Sequence, residues 1–142
     1  MKRVLISTLV LLILSALAYA APAKYNAPPF PRTLINAKYV YVTSYDGDQF
    51  DQRLLPEDRS AISAVQEAIQ KWGHYVVVYR LENADIVLMV QSRPSEDLLA
   101  VYDAKLWPEQ SYLWRVMGRG GLQPGETPLV SKLQTAVEQA RK

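Results

Sequence analysis

The sequence predicts an α+β fold, a two-layer α/β sandwich with two helices on one face of a five-stranded mixed sheet. Three observations carry this. Ile62, Val65, Ile69 and Trp72 recur at spacings of three and four, the period of a helix with one apolar face. Two runs, His74–Tyr79 and Asp85–Gln91, follow it at once and are rich in β-branched residues. A second stripe, Leu129/Val130, Leu133, Ala136/Val137 and Ala140, closes the chain as another helix.

Taken in order, Lys2 and Arg3 precede an apolar run from Val4 to Leu17, and Ala18-Tyr19-Ala20 follows. A charged start, a short apolar core and small residues before a cleavage point are the parts of a secretory signal over 1–20. A retained anchor fits less well, because the run is shorter than the ~20 residues that span a bilayer. No Cys follows it for lipid attachment, and no later stretch is long and apolar enough to cross a membrane. The expected location is periplasmic or secreted. Residues 21–33 hold Pro22, Pro28, Pro29 and Pro31 and read as an extended leader to a single domain over 34–142.

Lys2 and Arg3 also account for the basic excess. The full chain has 16 Lys+Arg against 14 Asp+Glu, and without those two the numbers are equal. Phosphate backbones require clustered positive charge, so nucleic acid is not an expected partner. With no cysteine there is no disulfide, thiol nucleophile or thiolate site. Stability must come from an apolar core, and the chain of about 120 residues left after cleavage is of a size that buries about two-thirds of its unfolded surface.

Lys38–Thr43 alternates with period two, placing Val40 and Val42 on one face and Tyr39 and Tyr41 on the other. Ser44–Leu55, with Asp46, Gly47, Asp48 and Asp51, is a turn-rich loop. Pro56 suits a first helical turn, Glu57 and Asp58 put negative charge at the helix's positive end, and Gly73 suits a left-handed stop. Asp85–Gln91 is apolar on both faces, which marks a central strand. Leu98–Ala104 and Tyr112–Arg119 form a hairpin across a loop with Trp107-Pro108. Thr127 and Pro128 begin the closing helix. The predicted order is β-α-β-β-β-β-α.

The helix ending in Lys71-Trp72-Gly73, the Ala84-Asp85 step into Ile86-Val87-Leu88, then Val101-Tyr102-Asp103-Ala104 and Leu113-Trp114-Arg115 with Gly118, resemble small exported bacterial domains of unknown function. The layout is similar to envelope assembly domains, such as the N-terminal domain of the Tol-Pal translocation protein and curli-secretion-type lipoproteins. The resemblance spans about Leu34 to Gln139. It implies a non-catalytic binding or scaffolding role in the bacterial cell envelope, with an envelope protein or cell-wall component as partner and no catalytic residue to carry over.

Chemistry is sparse. A single histidine, His74, excludes an imidazole cluster and lacks an orienting partner for acid–base work. Asp46, Asp48, Asp51 and Glu57 fit a calcium loop only in part, since Phe50 stands where an oxygen donor belongs. Glu96 and Asp97 point apart if they enter a strand. No catalytic residue, metal or cofactor is expected. The alternative is a carboxylate-dependent hydrolase of a cell-wall polysaccharide or peptide, using Asp46, Asp48, Glu96 or Asp103. The favoured site is the sheet face away from the helices. There Tyr39, Tyr41, Tyr79, Arg115 and Arg119 offer residue types enriched at binding hot spots, and Tyr75 joins them if the strand after the helix is phased that way. The same face or an edge strand would serve self-association into a homo-oligomer.

Overall fold

The computed structural model describes residues 29–142; the signal segment 1–20 and the leader to residue 28 lie outside the described residues. The order is α1 (Arg32–Asn36), β1 (Tyr39–Ser44), α2 (Pro56–Trp72), β2 (Val76–Val78), a 3-10 turn (Leu81–Asn83), β3 (Ile86–Ser92), β4 (Asp97–Asp103), β5 (Trp114–Gly118) and α3 (Pro128–Ala140). The sheet order is β2-β1-β3-β4-β5. β1 runs parallel to β2 and β3, while β4 is antiparallel to β3 and β5. Among the described residues no helix is long and apolar enough to cross a membrane.

The fold class matches the expectation, and β3, apolar on both faces, is indeed the middle strand. Val40, Val42, Ile86, Leu88, Val90, Leu99 and Val101 form one face of the sheet and share a core with Ile62, Val65 and Ile69 of α2 and Leu129, Leu133 and Val137 of α3. Gly73 ends α2 at φ 75°, and its N–H donates to the Ile69 carbonyl, closing the last turn. The sequence reading misses α1. Arg32 and Thr33 are helical rather than part of an extended leader, and Leu34 and Phe30 pack into or against the core. Tyr75 is a second correction. It is buried at 2 % exposure, not on the open face, and its hydroxyl donates to the Leu34 carbonyl at 2.5 Å. Trp72 is only partly buried, edge-on to Tyr75 at 5.1 Å.

Two buried carboxylates fasten one end of the sheet. Asp58, in the first turn of α2, is fully buried. It accepts from Ser44 Oγ at 3.1 Å, from the Ser92 N–H at 2.7 Å and from Arg93, whose Nη1 lies 3.0 Å from both oxygens. The ends of β1 and β3 are thereby tied to the start of α2. Asp97, 1 % exposed, accepts from Ser92 Oγ at 2.7 Å and from the Leu122 N–H at 3.0 Å, fastening the chain beyond β5. Asp85 does similar work at the other end, accepting from the N–H groups of Lys38 and Tyr39, each at 2.9 Å.

Asp58→Ala is expected to destabilise the fold by about 3–5 kcal/mol, because it leaves Arg93 and Ser44 without their buried partner. Asp46→Ala removes a more exposed partner of the same arginine and should change stability by less than about 1 kcal/mol. Urea denaturation of both variants measures the contrast.

Candidate binding site on the open sheet face

The face away from the helices carries Val76 and Val78, Tyr39, Tyr41 and Thr43, Val87, Met89 and Gln91, Leu98, Ala100 and Tyr102, then Arg115 and Met117, as the strand register requires. The middle of this face is covered rather than open to solvent. Thr43, Val87, Met89 and Ala100 have at most 5 % exposure. Two connections cover it. The segment from β2 to β3 brings Leu81 beside Tyr41, and the loop 104–113 brings Trp107 onto Tyr102, ring centroids 4.6 Å apart and nearly perpendicular.

Between these connections lies a cavity of about 480 Å³ walled by Tyr41, Tyr45, Trp107, Pro108, Leu81 and Asp48. Its aromatic walls are held differently. Tyr41 stands on the sheet, with its hydroxyl donating to Asp48 Oδ2 at 3.0 Å. Burial first, and that bond second, push its pKa up to about 12, so the phenol keeps its proton. Asp48 Oδ1 accepts the Phe50 N–H at 2.9 Å. Trp107 is set by Tyr102 and by turns within its own loop, where Glu109 and Gln110 N–H groups both donate to the Leu106 carbonyl. Tyr45 occupies a tight turn closed by the Ser44–Gly47 bridge and is 73 % exposed.

The residues expected here divide. Tyr41 lines the cavity and Arg115 lies on the same face, with its guanidinium 4.9 Å from the Tyr112 ring centroid. Tyr39 is on the face but towards the β2 side, beneath the Lys38 ammonium at 5.2 Å. Tyr79 and Arg119 are exposed just beyond the ends of β2 and β5, outside the paired register, and neither lines the cavity. Tyr45, Trp107 and Tyr102 were missed as site residues. Alternation along Leu98–Tyr102 was a usable signal for Tyr102, and an aromatic next to Asp-Gly in a turn was one for Tyr45.

The loop carboxylates each have their own partner, while Asp103 shares a shallow pocket with Asp85 and Lys105. Asp46 binds Arg93, Asp48 binds Tyr41, and Asp51 binds Arg53. Glu96 and Asp103 stand at opposite ends of β4, about 20 Å apart along the strand. Asp97 is buried while its neighbour Glu96 is exposed, so the two do point apart. Among the described residues no three acidic or histidine side chains converge to hold a metal. A larger cavity, about 760 Å³, lies between α2 and α3, but Trp72 is its single aromatic wall. Comparison with protein-family models, curated proteins and solved structures finds no match for this chain.

His74 lies outside the cavity, packed against Trp72 and Tyr75 at 4.9 and 4.6 Å, and its Nε2 is buried without a partner. Burial, then the nearby Arg141, lowers its pKa, with Glu138 opposing. Below pH 6.5 the unfolded chain therefore binds a proton that the folded chain does not, so stability should fall as pH drops from 6.5 towards the lower folded value. Melting temperatures of the parent between pH 7.5 and 5 should show this loss, and His74→Gln should flatten it.

Proposed function

We propose that this chain is an exported, non-catalytic binding domain of the bacterial cell envelope that contacts an envelope protein or cell-wall component through the Trp107 cavity. One observation carries the reading. Three aromatic side chains, Tyr41, Tyr45 and Trp107, wall a cavity on the layer of the molecule that the hydrophobic core does not use. Tyr45 is 73 % exposed and takes no part in the hydrophobic core. Aromatic walls offer large contact area at small conformational cost, and such pockets are the usual form of a ligand site. The secretory-type N-terminus supports the envelope location. The separate partners of Asp46, Asp48 and Asp51 argue for binding over hydrolysis at the loop that walls the cavity.

A photocrosslinking amino acid at Tyr45 in intact cells, followed by mass spectrometry, tests the reading. A discrete adduct is expected, and Trp107→Ala should abolish it while leaving the melting temperature within a few degrees. The same adduct captured from exposed Ser63 on α2, or an adduct indifferent to Trp107→Ala, would place the contact elsewhere.

A further inference from the structure

The cavity's lining also selects a ligand class, an inference that rests on the binding role just proposed. Of its polar side chains, Thr43 Oγ1 is committed to the carbonyls of Ser44 and Gly47, both at 3.1 Å, and Ser44 Oγ to Asp58. Asp48 is the one charged side chain that lines the cavity, and no Lys, Arg or His does. The nearby cations are spent: Arg93 on Asp58 and Asp46, Arg80 on Glu82. The cavity thus offers three aromatic side chains with their hydroxyl and indole N–H groups, and one carboxylate without a cationic partner among the described residues.

A neutral ligand such as a sugar could meet the Tyr45 hydroxyl and the Trp107 indole N–H, but it would leave the Asp48 charge without a counter-ion. A cation with an alkyl shell needs only ring faces and a counter-charge. Both Asp48 oxygens already accept one hydrogen bond each, from Phe50 N–H and Tyr41, so a compact point charge suits it better than a guanidinium fork. We propose that the cavity binds an alkylammonium head, held against Tyr45 and Trp107 with Asp48 as its counter-ion. Arg115 over the Tyr112 ring shows the same pairing made internally on the same face.

The test is NMR titration of the purified protein, reading the Trp107 indole N–H, identified by its loss in Trp107→Phe. The probes are choline, Nα-acetyl-lysine methylamide, its uncharged analogue Nα-acetyl-norleucine methylamide, and an N-acetylglucosamine trimer. Saturable shifts are expected with the two ammonium probes, with the norleucine analogue weaker by about tenfold or more. Asp48→Asn should weaken the ammonium probes about tenfold, and Tyr45→Ala, at an exposed position that the fold does not need, should weaken them as well. Tighter binding of the lysine derivative identifies a side chain of a protein partner, and tighter binding of choline a quaternary head group; both support the assignment. Equal affinity for norleucine or the saccharide, indifference to Asp48→Asn, or no shift up to about 50 mM overturns it. If the Tyr45 adduct forms in cells while no ammonium probe binds, the ligand class falls and the binding role stands. If probes bind and no adduct forms, the envelope partner falls and the ligand class stands.

Discussion

The Asp58 carboxylate is the constraint on which the rest of the molecule depends. A fully buried negative charge is tolerable only where its partners are complete, and here a serine hydroxyl, a backbone N–H and an arginine meet it. Those partners come from the ends of β1 and β3, so satisfying one charge sets where α2 starts relative to both strands. The apolar stripe of α2 holds the helix on the sheet through contacts without direction. The carboxylate adds a directional requirement, because a shift of the helix would leave it unpaired.

That anchor reaches the candidate site directly. Ser44, whose hydroxyl donates to Asp58, is also the first residue of the turn that displays Tyr45. Arg93 bridges Asp58 to Asp46 within the same turn. Arg59, one residue after Asp58, donates to the carbonyls of Gln49 and Asp51 and holds the following loop, which carries Asp48 and Phe50. Tyr45 is thus exposed without being loose. Its pedestal is bonded to the core, which favours a preorganised wall over one that must order on contact.

The layers of this fold were legible because they follow from period. Ile62, Val65 and Ile69 repeat as a helix and Val40/Val42 against Tyr39/Tyr41 as a strand, and each face went where its chemistry sends it. The long-range polar work was not legible. Asp58 read as a charge favouring a helix start, since nothing local shows that Ser44, Ser92 and Arg93 converge on it. Tyr75 failed for a similar reason. It sits just before β2, where strand alternation does not yet apply, and its place is decided by a carbonyl 41 residues away. Part of the site was visible, because Tyr41 and Arg115 follow from alternation. Trp107 did not, since a loop residue's direction depends on what the loop crosses.

Topology explains why a cavity exists there at all. β2 and β3 both run parallel to β1 and flank it, so the chain must return across β1 to begin β3. β2 is only three residues long, so this return spans about 10 Å and a 3-10 turn suffices. Leu81 rides over the open face as a result, forming one wall. The opposite wall follows from no such necessity. β4 and β5 are antiparallel neighbours that a loop of about 2–5 residues could join, yet residues 104–113 intervene and lay Trp107 on Tyr102. A long hairpin loop that folds back to present an aromatic ring is surplus to what sheet closure requires. The fold explains the Leu81 wall without reference to a ligand, and it is the Trp107 wall that a binding role has to account for.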